Sequence, residues 1–364
     1  MKRREFLSGA AVLGASALVG CQQDRSVVGT YAAGETINWR MVTTWPMNFP
    51  GLGTGANTLA RLIGEMSGGR IRVQVYGAGE LVPAFEVFDA VSRGTAEMGH
   101  GAAYYWKGKS ESVQFFAAVP FGMNGQELSG WLYHGGGLEL YRELYAPFNL
   151  VPAPAGNTGV QMGGWFNKEI RSVADLRGLR MRIPGLGGDV LRRAGGTPVN
   201  LPGSEIFTAL QSGAIDATEW VGPYNDLAFG LHRAARYYYY PGWQEPCASL
   251  EALVNKQAFD ALPEDLRSIV LNACRVTDQD MLAEYTARNN QALDQLVNEH
   301  RVELRQFPDD VLHRIRELSQ EVLAEVGSRD ELAQRIYRSY TRFHEQVRAY
   351  HRISEKSYYL ARDL

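Results

Sequence analysis

Strand-like and helix-like segments alternate through the first two thirds of this chain, and that order restricts it to a small group of folds. Residues 38–44 and 70–76 alternate apolar and polar side chains as strands do, whereas residues 56–66 carry apolar residues at helical spacing. A second set runs from residue 150 to about 240 and includes a predicted strand over 159–166. Strands separated by helices predict an α/β fold with parallel sheet.

From Pro263 onward the sequence changes character and predicts long helices. Pro263 is well placed to start a helix because Glu264 and Asp265 occupy the first turn. Further helical blocks cover 308–326 and 329 to about 360. The last block carries an apolar and aromatic stripe that recurs every three or four residues, made of Leu332, Ile336, Tyr340, Phe343, Val347 and Tyr350. The stripe predicts either packing on the chain's own domain or a surface for a partner.

The N-terminus has the pattern of an export signal. Residues 1–7 form a basic start, and the run that follows is almost uncharged and rich in small residues. This run is too short and too rich in glycine and alanine to span a membrane. Arg3 and Arg4 resemble the twin-arginine signal, an address that a receptor recognises. The pattern therefore predicts a signal peptide over residues 1–20 and a periplasmic location.

Cys21 ends a lipobox-like sequence, Leu18-Val19-Gly20-Cys21. A lipobox predicts that the cysteine is acylated and becomes the mature N-terminus. Residues 21–36 are then a polar tether between a membrane and the folded protein. The alternative is an ordinary signal peptide with a chance cysteine at this position.

Charge and cysteine content narrow the functional classes. Removal of residues 1–20 takes away three cations and one anion, so the net charge of −3 falls by two, which argues against nucleic-acid binding. The mature chain of about 340 residues exceeds what one core usually holds, so two domains are expected. Two alternatives are open for Cys247 and Cys274. Either they form a disulfide, or Cys274 is a free and buried thiol, because it lies in an apolar helical stretch.

Motifs that resemble parts of enzyme sites are incomplete. Residues 134–137 resemble the oxyanion-hole motif of esterases, but the sequence has no Gly-x-Ser-x-Gly, so they predict a glycine-rich helix break. The glycine clusters at 51–55 and 185–188 do not satisfy the dinucleotide fingerprint. We therefore expect a binding protein and not an enzyme.

Three longer blocks carry a resemblance to a known family. Residues 156–166, 213–224 and 237–243 resemble the substrate-binding proteins of TRAP transporters (the DctP-type family), most closely the branch that binds 2-oxo acids such as pyruvate. The resemblance runs from about residue 38 to the last helix. It implies a two-lobed, type II-like periplasmic-binding-protein fold with a cleft between the lobes and long C-terminal helices.

The resemblance also implies domain boundaries and a quaternary structure. Lobe I is expected to take residues 37–155 plus 243–310, lobe II residues 156–242, and the C-terminal helices residues 311–364. In this branch the last helix can exchange between two subunits. A homodimer formed through that helix is therefore expected.

The resemblance assigns the ligand to Arg182, Asn157, Tyr104 and Tyr105. Arg182 matches the family's arginine, whose planar fork fits a carboxylate in a charge-assisted contact worth roughly 1.5–3 kcal/mol. The alternative is a surface arginine at a strand end, a position expected instead for Arg180. Asn157 matches a position that hydrogen-bonds the ligand. Tyr104 and Tyr105 lie in a loop between a strand and a helix, where one of them is expected to cover the ligand.

Glu219 predicts a bound cation, because a buried carboxylate would repel an anionic ligand. The resemblance gives the metal ligands as the Gln161 amide oxygen, the Glu219 carboxylate and the Trp220 backbone carbonyl, with Glu245 as a further acid. It favours Na⁺, whereas the charge favours Ca²⁺, since Arg182, the two glutamates and a monoanion sum to −2. The alternative for Glu219 is a structural ion pair across the hinge.

Together these observations predict the solute-binding subunit of a TRAP transporter. It is expected to bind a small monocarboxylate such as pyruvate with a metal cation and to deliver the acid to the membrane permease subunits. Two alternatives remain open: a binding protein for lactate or another 2-hydroxy acid, and a periplasmic sensor partner.

Overall fold

Residues 36–364 are described by the computed structural model. The expected signal peptide, the lipidation of Cys21 and most of the tether therefore lie outside the described residues. Within them, no helix is long and apolar enough to cross a membrane.

Two sheets form the centres of two lobes. In chain order the strands are β1 (Ile37–Thr43), β2 (Ile71–Tyr76), β3 (Met98–Gly101), β4 (Leu150–Asn157), β5 (Gly164–Phe166), β6 (Arg180–Arg182), β7 (Thr197–Val199), β8 (Ala217–Thr218), β9 (Tyr237–Tyr240), β10 (Ser249–Asn255) and β11 (Glu303–Gln306). The sheet of lobe I has the order β2-β1-β3-β10-β4, and the sheet of lobe II has the order β11-β9-β5-β8-β6-β7.

Helices flank both sheets. In chain order they are α1 (Leu52–Met66), α2 (Val87–Ser92), α3 (Gly125–His134), α4 (Gly137–Tyr145), α5 (Gly185–Arg193), α6 (Gly203–Gln211), α7 (Pro223–Phe229), α8 (Lys256–Asp260), α9 (Glu264–Asp294), α10 (Asp309–Val326), α11 (Glu331–Ile353) and α12 (Glu355–Arg362). The first half of α9 buries Leu266, Val270, Ala273 and Cys274 in the core of lobe I. Their spacing of three and four residues explains why this stretch is helical.

Both sheets are mixed, so the expectation of parallel sheet holds for only part of each. β10 runs antiparallel to β3 and β4, and β5 runs antiparallel to β8 and β9. The chain leaves lobe I after β4 and returns to it before β10. Strands that flank such crossings run in opposite directions, which breaks the parallel order.

Most predicted elements are present, but two differ in extent. The strand predicted over 159–166 is limited to β5, because Gly159 and Gly164 have φ angles of 65° and 113° that turn the chain away from extended structure. The single helix predicted from 329 to about 360 is interrupted at Ser354, whose ψ of −95° is not helical. The prediction of a helix break after α3 is confirmed, since Gly136 has a φ of 85° between α3 and α4.

One expected lobe boundary also differs. The range 243–310 is expected in lobe I, yet β11 within it pairs in parallel with β9 in the sheet of lobe II. The reason is that α9 carries the chain back toward lobe II. The lobes are therefore joined by four crossings: residues 158–163, residues 241–248, helix α9, and the link from α10 on lobe II to α11 on lobe I.

The stripe on the last long helix lies in two environments. Ile336 and Tyr340 are buried on lobe I, where the Tyr340 hydroxyl accepts a hydrogen bond from the Met123 amide at 3.0 Å. Further along, Tyr350 is 61% exposed and Ile353 is 73% exposed. The stripe therefore packs on the chain itself as far as Val347, and only its last member, Tyr350, faces solvent together with the neighbouring Ile353.

The two cysteines of the folded part are separate. Cys247 and Cys274 are both buried free thiols. This excludes the disulfide alternative and agrees with the expectation of a free, buried Cys274.

Candidate functional site

A buried arginine lies where the two lobes meet. Arg182 ends β6 and is 1% exposed, whereas Arg180 starts the same strand, is exposed, and pairs with Asp216 at 2.9 Å. The carboxyl end of a strand next to parallel neighbours is the usual position of a ligand contact in α/β proteins. The alternative of a surface arginine therefore fits Arg180 and not Arg182.

The Arg182 guanidinium contacts both lobes. Its Nη1 donates to the Glu219 carboxylate and, at 3.3 Å, to the Glu219 backbone carbonyl. Its Nη2 donates to the Tyr105 hydroxyl of lobe I at 3.3 Å, and its Nε donates to the Leu201 carbonyl at 3.2 Å. The guanidinium carbon lies 5.0 Å from the ring centroid of Trp220, a cation–π distance. The guanidinium of Arg182 is thus held in position by contacts from both lobes.

Glu219 directly follows β8 and is fully buried. Its Oε1 pairs with Arg182, while its Oε2 has no hydrogen-bond partner among the described residues. Burial raises the pKa of Glu219 to about 7, against the lowering effect of Arg182. This carboxylate therefore has one oxygen available for a further ligand.

Gln161 and Glu245 come from the two crossing segments 158–163 and 241–248. Both are buried, and the Gln161 Nε2 donates to the Glu245 carboxylate at 2.8 Å and to the Thr158 hydroxyl at 3.2 Å. Because Nε2 makes both bonds, Gln161 Oε1 is left without a partner in the part of the chain that is described. Burial and the charge of Glu219 raise the pKa of Glu245 well above its usual range.

The two tyrosines come from a 3-10 turn, Ala103–Trp106, that follows β3. Tyr105 accepts the hydrogen bond from Arg182, and the Tyr104 ring stands at 89° to it with the centroids 4.8 Å apart. Burial raises the pKa of Tyr104, with a further contribution from Glu245. Both tyrosines therefore lie at the cluster, and Tyr105 makes the direct contact.

Aromatic residues that the sequence analysis missed surround Trp220. The ring centroids of Trp45, Phe49 and Phe229 lie 6.4, 6.3 and 5.2 Å from that of Trp220. Trp45 is held by its indole nitrogen, which donates to His100 Nδ1 at 2.8 Å, and burial lowers the pKa of His100 to about 4, so this ring is neutral and can accept. Their position in the sequence could have identified them, because Trp45 and Phe49 follow the carboxyl end of β1, where ligand contacts are common in α/β proteins.

The Asn157 side chain forms its hydrogen bond with a backbone amide and not with another predicted site residue. It ends β4 and is buried, but its Oδ1 accepts from the Gly159 amide at 2.9 Å. A Cβ atom at Gly125 would lie 2.7 Å from the same oxygen. Asn157 therefore shapes the start of the first crossing segment, and a ligand contact by this residue stays a prediction.

The donor set fits a hard cation. No group of three or more His, Cys, Asp or Glu side chains suited to a metal occurs in residues 36–364, so the ligands would combine carboxylate and amide oxygens. Gln161 Oε1 and Glu219 Oε2 are buried oxygens without partners, and Glu245 adds a second buried carboxylate. Na⁺ and Ca²⁺ prefer such oxygen ligands. With both carboxyl groups ionised beside one guanidinium, the cluster carries a net negative charge that a cation would balance.

Comparison with known proteins gives a consistent result. Residues 41–330 match the family described as bacterial extracellular solute-binding protein, family 7 (DctP). A relative from Nostoc sp., named monocarboxylate 2-oxoacid-binding periplasmic protein, is 45% identical over 361 residues, which is 98% of each chain.

Two solved structures are similar over most of their length. A TRAP periplasmic solute-binding protein from Pseudoalteromonas atlantica, with bound sodium and pyruvate, is 44% identical with a TM-score of 0.87, covering 89% of this chain and 98% of that one. A TRAP transporter solute-binding protein from Bordetella bronchiseptica, a mixed-occupancy dimer with calcium and picolinate in its bound site, is 38% identical with a TM-score of 0.87, covering 91% and 100%. The chain therefore belongs to the DctP family of extracellular solute-binding proteins that serve TRAP transporters.

Proposed function

We propose that this protein binds a small 2-oxo monocarboxylate, such as pyruvate, together with Na⁺ or Ca²⁺, and delivers the acid to a TRAP membrane permease. The single observation that carries the proposal is the buried cluster of Arg182 with Glu219, Glu245 and Gln161. One fixed cation, two carboxylates and unpartnered oxygens are suited to an anion that arrives with a metal ion.

Each residue of the cluster has a role in this proposal. Arg182 provides guanidinium donors that match a carboxylate, and Tyr105 fixes the orientation of that guanidinium. Gln161, Glu219, Glu245 and the Trp220 carbonyl would hold the cation. When bound, the cation supplies positive charge that offsets the glutamates and attracts the ligand's carboxylate and keto oxygens.

The ligands of similar proteins support the chemical class. Pyruvate and picolinate, found in the Pseudoalteromonas and Bordetella proteins, share a carboxylate with a second donor atom on the neighbouring carbon. That pair of donors can chelate one cation. A guanidinium and a cation would already occupy both ends of a short acid, so we expect short acids to be preferred.

The two similar structures support different cations. The Pseudoalteromonas protein holds sodium and the Bordetella protein holds calcium. With Arg182, two glutamates and a monoanion, Ca²⁺ gives a neutral site and Na⁺ leaves one negative charge. Both ions therefore belong in the test.

A thermal-shift panel tests the function. Short 2-oxo acids and 2-hydroxy acids are each added with Na⁺, with Ca²⁺ or with a chelator, and the unfolding midpoint is recorded. A bound ligand raises the midpoint by mass action, so we expect a rise with pyruvate that the chelator reduces. A rise with lactate alone supports the 2-hydroxy acid alternative, and a rise only with sugars or amino acids contradicts the proposal.

The protein is also proposed to be a periplasmic lipoprotein and a homodimer. The basic start, the twin-arginine pair and the cysteine at position 21 support export and anchoring. The exposed end of α11 and the aromatic residues of α12, Tyr358 and Tyr359, support an additional interface, and the similar Bordetella protein is described as a dimer.

A further inference from the structure

An ion pair joins the two lobes beside the candidate site. Lys107 Nζ of lobe I lies 3.1 Å from the Oδ1 of Asp189, which lies on α5 in lobe II. The pair borders a cavity of about 530 Å³ between lobe I, α5 and α10. Arg192 also contacts Asp189, at 2.6 Å, but it lies on the same helix and does not link the lobes.

Both members of this pair are attached to elements that carry site residues. Lys107 directly follows the 3-10 turn that presents Tyr105 to Arg182. Asp189 lies on α5, which begins three residues after Arg182. The position of the ion pair is therefore coupled to the position of the Tyr105–Arg182 hydrogen bond.

The two lobes also approach each other closely at Gly185 and Tyr104, next to the ion pair. A Cβ atom at Gly185 would lie 3.0 Å from the Cβ of Tyr104, and Gly185 has a φ of 61° that also favours glycine. Tyr105 with Arg182, Tyr104 with Gly185 and Lys107 with Asp189 thus form one row across the cleft. Gly185, the first residue of the glycine cluster that fits no nucleotide motif, permits this approach of the lobes.

We propose that Lys107 and Asp189 form an interlobe ion pair that positions Tyr104 and Tyr105 over Arg182 and slows the release of bound ligand. Neither residue contacts the ligand, so both act as positioning residues. Their side chains are 39% and 24% exposed, so dissolved salt screens their attraction. The expected effect on ligand affinity is therefore modest, about two- to fivefold.

The chain offers a matched control within a few residues. Lys109 pairs with Asp89 at 2.7 Å, and these side chains are 38% and 33% exposed. Both lie in lobe I, so the pair resembles Lys107–Asp189 in type and exposure but does not cross the cleft. Its loss should leave the ligand affinity unchanged.

The affinity test, which rests on the proposed function, measures pyruvate binding in saturating Ca²⁺ for the wild type, K107M, D189N, the double variant and K109M. We expect K107M and D189N each to raise Kd about two- to fivefold through faster dissociation. The double variant should be no weaker than either single variant, and K107R should restore binding. Wild-type affinity in K107M, or additive losses in the double variant, would overturn the proposal.

A zero-length carbodiimide tests the contact without relying on any ligand. It joins a lysine amine to a carboxylate only where the two groups touch, and mass spectrometry identifies the joined peptides. We expect a Lys107–Asp189 product, which K107M abolishes, alongside the Lys109–Asp89 product that reports reagent activity. A Lys109–Asp89 product without any Lys107–Asp189 product contradicts the ion pair. Failure of the wild type to bind any acid, with the Lys107–Asp189 product present, contradicts the proposed function alone.

Discussion

The Gln161 side-chain amide donates to the Glu245 carboxylate at 2.8 Å, and this hydrogen bond is one of several that join the segment leaving lobe I to the segment returning to it. Both residues are also expected cation ligands. Any ion bound there contacts both crossings at once, and occupancy of the site is thereby linked to the geometry of the hinge.

Replacing Arg182 with Ala should abolish ligand binding. The change removes the only guanidinium of the described cluster and leaves Glu219 buried without its partner, so we expect Kd for pyruvate to rise by about 100-fold or more. Isothermal calorimetry measures the affinity, and circular dichroism shows whether the variant is folded. The control is R180A, which removes an exposed arginine of the same strand that pairs with Asp216. Equal losses in both variants would contradict a specific role for Arg182.

Replacing Glu219 with Gln should raise the Kd for the cation while the protein still folds. The amide oxygen can still accept from Arg182, but one negative charge of the proposed cation site is lost. We expect the Kd for Ca²⁺ to rise about tenfold or more, because ligand charge is a main determinant of calcium affinity. The control is E97Q, since Glu97 pairs with Arg40 at 2.8 Å elsewhere in lobe I. Unchanged Ca²⁺ affinity in E219Q, measured by calorimetry, would favour the structural ion-pair alternative.

Cation binding should strengthen as the pH rises toward neutrality. Burial raises the pKa of Glu219 to about 7 and that of Glu245 well above its usual range, so the cation-free protein holds protons that a cation must displace. A carboxyl with a raised pKa stabilises the folded state fully below its unfolded pKa, and that contribution is lost as the pH rises through about 7. We therefore expect ligand-free stability to fall between pH 5 and 7.5 and bound cation to restore it. Calorimetry in buffers of different ionisation enthalpy should detect proton release, and its absence at pH 6 contradicts this account.

Charge introduced at the exposed end of α11 should produce monomers. Tyr350 and Ile353 are apolar and mostly exposed, and Y350D/I353D would place charge in the proposed interface. Light scattering after size-exclusion chromatography measures the mass, which we expect to fall from dimer to monomer. Q346D, at an exposed polar position of the same helix, is the matched control. A wild-type protein that is already a monomer would refute this assembly.

Replacing Cys21 with Ala should release the protein from membranes. Without the thiol there is no site for acylation, so the variant should appear in the soluble periplasmic fraction while the wild type sediments with membranes. Mass spectrometry of the wild-type N-terminus should find a lipid on Cys21. An unmodified wild type would favour the ordinary signal peptide.

Local pattern and family resemblance were enough to predict the two lobes and most elements. The helix predicted over 308–326 is present and begins at Asp309, because Pro308 takes the N-cap position and Asp309 and Asp310 fill the first turn. Gln161 and Glu219 lie in blocks that resemble the family, and the same resemblance identifies Arg182 and Glu245. The structure brings these four side chains into one buried cluster.

Other features depend on contacts between distant parts of the chain. β11 has only four residues, and its place in lobe II is decided by pairing with β9, which no local pattern predicts. Trp45 and Phe49 lie in a loop without periodicity, yet they pack on Trp220. The side chain of Asn157 likewise lies against Gly125 of α3, where a Cβ atom would come within 2.7 Å of its Oδ1.

Helix α9 sets a limit on how the lobes can separate. Its 31 residues span about 46 Å, with Cys274 packed in lobe I and Tyr285 donating to Asn225 of α7 in lobe II at 2.7 Å. The lobes cannot separate independently of this helix, because it is held at two points that belong to different lobes. Separation must either break the Tyr285–Asn225 hydrogen bond or bend α9, so this helix resists opening of the cleft.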